Sequence, residues 1–126
     1  MDASVDAIVL FAHGSRDPLW AAPFLRMKEE LARRRTGTDV RLAFLELQAP
    51  DLPTTLDELA AAGRRHVVVA PLFLSQGAHL RRDLPALLRS CESRHAGMHL
   101  RALPALGDDP TVLEALTHWV DLNAGR

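Results

Sequence analysis

An unbroken apolar run, Ile8-Val9-Leu10-Phe11-Ala12, stops abruptly at His13-Gly14-Ser15. A run that never alternates with polar residues does not suit a strand with one wet face; it predicts a parallel strand covered on both sides. Such a strand belongs to an α/β sheet. His13 then stands at its carboxyl end, where open α/β sheets hold their ligands.

The rest of the chain repeats that strand-then-helix pattern. Asp17-Pro18 reads as a helix start with proline at the first position, and Trp20, Phe24, Met27 and Leu31 recur on one helical face as far as Gly37. Val40 to Leu47 is the second strand, apolar except where Glu46 interrupts its end. Gln48-Ala49-Pro50 turns the chain, and Asp51-Leu52-Pro53 opens a helix that carries Leu56 and Leu59 to Gly63. His66 to Leu72 is the most apolar strand and belongs at the centre of the sheet. The loop Ser75-Gln76-Gly77-Ala78-His79 follows, and Asp83 marks a helix through Leu87, Leu88 and Cys91 to about Arg94. Met98 to Leu103 is a weaker strand, and Asp109-Pro110 opens a last helix with Leu113, Leu116 and Val120 on its buried face.

Four such units imply a flavodoxin-like α/β fold: a four-stranded parallel sheet of order 2-1-3-4 with helices on both faces. With 126 residues the expectation is one domain over residues 1–126. Lys and Arg number 15 against 16 Asp and Glu, so no overall basic field exists to hold nucleic acid or an anionic membrane. The start of the chain has early acids and no basic segment ahead of an apolar one, and no apolar run approaches the roughly 20 residues that span a bilayer. The expectation is a soluble cytoplasmic protein. Cys91, the single cysteine, excludes an internal disulfide and reads as a small apolar helix residue.

The strand-end rule brings three outlying polar residues, His13, Glu46 and His79, to one crevice. Two imidazoles and a carboxylate suit an exchangeable divalent ion such as cobalt, nickel, iron or zinc, and equally suit proton transfer near neutral pH. The remaining histidines, His66, His95, His99 and His118, fall away from the carboxyl strand ends and read as structural. A phosphohistidine at His13 is disfavoured because Ala12, not Arg, precedes it. Ser15 lacks the Gly-x-Ser-x-Gly elbow of a serine hydrolase.

These segments also carry a resemblance. Phe11-Ala12-His13-Gly14-Ser15-Arg16, then Leu45-Glu46-Leu47 ahead of Pro50, then Pro71-Leu72-Phe73-Leu74 followed by Gly77-Ala78-His79-Leu80-Arg81-Arg82-Asp83-Leu84-Pro85 come in order, with 33 residues from His13 to Glu46 and again to His79. Together they resemble the small sirohydrochlorin chelatases of the class II chelatase superfamily over nearly the whole chain. Gln48 and Ala78 depart from the pattern, Met and Gly being common there.

The resemblance implies insertion of cobalt(II), or else iron(II), into sirohydrochlorin on the way to cobalamin or siroheme; nickel(II) is a further metal substrate to test. It implies no permanently bound cofactor. His13 and His79 would bind the incoming metal or receive pyrrole protons, with Glu46 assisting. Sirohydrochlorin is rich in carboxylates, so Arg16, Arg81 and Arg82 become candidates for bidentate contacts, and Ser15 for a contact beside the Gly14 turn. Longer relatives join two such domains around the tetrapyrrole, which implies a homodimer here. A non-catalytic carrier of metal or tetrapyrrole using the same crevice is the alternative.

Overall fold

The computed structural model describes residues 4–126; Met1, Asp2 and Ala3, part of the stretch 1–6 that does not read as a signal peptide, lie outside the described residues. Strands β1 (Ala7–Ala12), β2 (Asp39–Phe44), β3 (His66–Pro71) and β4 (His99–Ala102) form one parallel sheet of order β2-β1-β3-β4. Helices α1 (Ala22–Arg34), α2 (Leu52–Ala61), α3 (Ala78–Arg94) and α4 (Pro110–Ala124) follow the strands in turn. The fold class and strand order are those expected. No helix among the described residues is long and apolar enough to cross a membrane.

Every residue of β1 is buried, because its two faces serve two layers. Side chains alternate along a strand. Ala7, Val9 and Phe11 therefore pack with Leu52, Leu56 and Leu59 of α2 and with Leu84, Leu88 and Cys91 of α3. Ile8, Leu10 and Ala12 face the other way, toward Trp20 and, on α1, Phe24 and Leu31.

Several boundaries depart from expectation. Asp17 does not open α1: its carboxylate accepts the Leu19 N–H at 2.9 Å, closing a turn, and the helix starts at Ala22 with Pro23 in its first turn. Met27, expected on the buried face, is 46% exposed. β2 ends at Phe44 rather than Leu47; Leu45 and Glu46 keep backbone bonds to the end of β1, and the positive φ of 67° at Leu47 stops any further extension. α3 starts at Ala78 behind an extended Gly77, so Asp83 lies inside the helix, as does Pro85. β4 is shorter than Met98 to Leu103.

The largest departure is α4. Asp109 does cap it, accepting the N–H groups of Thr111 and Val112 at 2.8 and 3.3 Å. Yet no residue of α4 is buried, and Leu113, Leu116 and Val120 are exposed together with Trp119 and Leu122. The helix packs mainly on the 3₁₀ turn Leu106–Asp108 and does not return to the sheet.

Candidate functional site

The carboxyl ends of β1 and β2 build the first half of the site. Parallel pairing runs on past the strands, with the Leu45 N–H donating to the Ala12 carbonyl at 2.9 Å and the Glu46 N–H to the His13 carbonyl at 3.0 Å. His13 and Glu46 are thereby locked side by side, and His13 Nε2 lies 3.0 Å from Glu46 Oε1. Both side chains are more than half exposed.

Gly14 makes this register attainable. Its φ is +101°, and a Cβ there would collide with the Glu46 carbonyl oxygen. Glycine is required by conformation and by space at once. The next residue is braced from the loop after β2: the Ser15 N–H donates to Gln48 Oε1 at 2.9 Å, while Ser15 Oγ accepts the Asp17 N–H at 3.0 Å. Beneath His13 lies Phe73, ring centroids 6.3 Å apart and edge to face, and Phe73 in turn meets Phe11 at 5.4 Å.

His79 arrives from β3 by way of the first turn of α3, not from a loop as its sequence context predicts. It lines a largely apolar cavity of about 220 Å³ with Phe11, Leu45, Leu80, Asp83, Leu84 and Leu87. Its Nδ1 lies 3.0 Å from an Arg82 nitrogen. Arg81 donates to the Gln76 carbonyl at 3.0 Å, and Arg16 is exposed on the loop after Gly14. The structure thus couples His13 directly to Glu46 and sets His79 and the two helical arginines on a neighbouring element. His13, Glu46 and His79 do not converge into a closed three-ligand cluster; among the described residues only Asp57, Cys91 and His95 do so.

The arrangement is an open, solvent-facing rim with an apolar floor. A half-exposed imidazole–carboxylate pair can take a proton from a ligand or give up one position to a cation, and nothing encloses an ion enough to trap it. Gln48 and Phe73 join the site in roles their sequence context does not assign: Gln48 stands out only as a departure from the family pattern, and Phe73 only as an apolar residue of the Pro71-Leu72-Phe73-Leu74 block. The other histidines are accounted for elsewhere. His66 and His99 stack at the amino ends of β3 and β4, ring centroids 5.1 Å apart, and His95 Nε2 lies 2.7 Å from Asp57 Oδ1.

Known proteins share this architecture. A curated sirohydrochlorin cobaltochelatase of Methanocaldococcus jannaschii is 31% identical over 91 residues, covering 72% of this chain and 64% of that one. The chain spans between 56 and 65% of the length of the curated relatives it matches. Among solved structures, the CbiX protein of Marinobacter aquaeolei VT8 superimposes with a TM-score of 0.78 at 31% identity, covering 94% of this chain and 96% of that one. The sirohydrochlorin chelatase SirB of Bacillus subtilis subspecies spizizenii, solved in complex with cobalt, gives a TM-score of 0.76 at 27% identity and covers 94% of this chain but 50% of its own. The family model for CbiX matches residues 7–121, from the first residue of β1 to the last turns of α4, and the chain belongs to the CbiX family.

Proposed function

We propose that this chain is a sirohydrochlorin chelatase, inserting a divalent metal ion, cobalt(II) or else iron(II), into the tetrapyrrole in cobalamin or siroheme biosynthesis. The reading is supported by family membership and rests on one observation, the His13–Glu46 pair at 3.0 Å on the open rim where β1 and β2 end. The chemistry needs such a pair. Insertion replaces both inner pyrrole protons by a dication, so each proton needs an acceptor and the metal must shed water. A neutral imidazole performs either task, and the adjacent carboxylate favours the charged partner it creates. Arg16, Arg81 and Arg82 are assigned to the substrate carboxylates, Ser15 to a polar contact beside them, and His79 to the opposite wall of the same crevice.

The same reading makes the working unit a homodimer in the cytoplasm. Its support is the apolar face of α4, with Trp119 64% and Leu122 70% exposed. On the sheet face that α1 covers lies a groove of about 440 Å³, lined by Leu10, Pro23, Met27 and Leu31 among others. A partner's α4 laid in that groove satisfies both surfaces at once.

The test is spectroscopic. Anaerobic sirohydrochlorin mixed with cobalt(II), iron(II) or nickel(II) should metallate faster with the protein than in buffer, and His13→Ala or Glu46→Gln should lower kcat/KM by about 10²-fold with the thermal midpoint unchanged. Binding of tetrapyrrole without acceleration of insertion would instead identify a carrier. Full activity in the His13→Ala/His79→Ala variant would remove the chemistry from this rim.

A further inference from the structure

At the far end of α3, about 24 Å from His79 by helix rise, a second constellation occupies the α2–α3 interface. Cys91 and His95 stand one turn apart and so share a face, opposite Asp57 of α2. One ligand atom from each, the Cys91 sulfur, a His95 ring nitrogen and an Asp57 oxygen, lie within 4.8 Å of one another. His95 Nε2 is 2.7 Å from Asp57 Oδ1, and the His95 N–H donates to the Cys91 carbonyl at 3.1 Å, which holds the ring at the helix end.

We infer that Asp57, Cys91 and His95 form a second divalent-metal site, distinct from the His13–Glu46 rim, that takes a borderline transition ion such as cobalt(II), nickel(II) or zinc(II). Thiolate, imidazole and carboxylate are together the donor set these ions prefer, and three protein ligands leave one position for water. Neighbouring ligands of a tetrahedral ion at about 2.1 Å stand roughly 3.4 Å apart, so the pair at 2.7 Å must open by about 0.7 Å to admit one. Cys91 is fully buried and gives the site its floor, whereas the His95 and Asp57 side chains are 29% and 44% exposed and form its mouth.

Cations oppose the ion: Arg94 lies 3.2 Å from the same Asp57 oxygen and hydrogen-bonds the Cys91 thiol, and Arg64 and Arg65 line the same pocket, so loading requires the half-exposed Arg94 side chain to turn into solvent. Burial pushes the Cys91 thiol up, with Arg94 pulling against it, so loading releases the thiol proton to water in exchange for the metal. The ion then ties α2 to α3 behind the sheet, while the rim at the opposite end keeps its open geometry.

The experiment titrates cobalt(II) into the full-length, reduced chain under anaerobic conditions in the His13→Ala/His79→Ala background, which silences the rim. A thiolate-to-cobalt charge-transfer band should grow to a single ion per chain. Cys91→Ala should abolish it with the far-ultraviolet circular dichroism retained, and His95→Ala and Asp57→Asn should each weaken cobalt binding by at least about tenfold. Absence of the band, or unchanged affinity in the two surface-side variants, overturns the site and leaves Asp57, Arg94 and His95 as an ion-pair cluster only. Neither result depends on metal insertion into sirohydrochlorin, so this test fails or succeeds apart from the proposed activity.

Discussion

Gly14 is the residue on which the rim depends. A methyl group there meets the Glu46 carbonyl while the backbone holds a φ of +101°. Gly14→Ala should therefore cost at least about 2 kcal/mol in urea or thermal unfolding, and should impair insertion beyond that loss by parting His13 from Glu46. An alanine variant with wild-type stability would mean that the two loops slide past each other freely. The strand-end position of His13 was legible because an apolar run ending in His-Gly is a local signal. Glu46 was legible as the polar exception in its strand. Their hydrogen bond was not, since it follows from pairing that continues two residues past β2. Gln48 departs from the family pattern in the sequence, and only the folded chain shows it bracing Ser15.

The helices show how far a local start signal can be trusted. Asp-Leu-Pro occurs twice, at Asp51-Leu52-Pro53 and at Asp83-Leu84-Pro85. In the first, Asp51 caps α2, its carboxylate accepting the Thr54 N–H at 2.9 Å. In the second, the same tripeptide lies within α3, because Leu80 and Leu84 pack on the core and their burial carries the helix back to Ala78. Tertiary packing outweighs the cap, and this moves His79 from a loop to a rigid first turn. β2 offers a pH-dependent test. The Asp39 carboxylate is 2.7 Å from Arg41 and 3.2 Å from Arg64, and hydrogen bonding to Arg41 foremost holds it below the ordinary 3.8. A carboxyl lowered in the fold contributes stability that is present above its unfolded value and lost as pH falls through the folded one. Asp39→Asn should lower the unfolding free energy at about pH 7 and flatten its decline below about pH 4, read from urea melts across that range. An identical acid limb in the variant would exclude Asp39 as a source of the decline.

The whole molecule is where α4 belongs. An amphipathic helix with Leu113, Leu116, Trp119 and Val120 in water forfeits about 1.5–3 kcal/mol for each large side chain that a partner would otherwise bury. Sedimentation should show a dimer at micromolar concentration, and Leu116→Asp with Trp119→Asp should convert it to a folded monomer with reduced insertion. A wild-type chain that sediments as a fully active monomer would refute the exchange of α4. The periodicity that predicted a buried face on α4 was correct as to which residues are apolar. What covers them is a question that periodicity does not reach.

The sequence alone determined the α/β class, the strand order and the strand-end placement of His13 and Glu46, because unbroken apolar runs, caps and glycine turns act over a few residues and are written locally. Only tertiary structure decided where α3 begins, that α4 leaves the sheet, and that Asp57, Cys91 and His95, from two helices, meet at one point. These depend on which surfaces bury which, a competition settled among elements far apart in the chain.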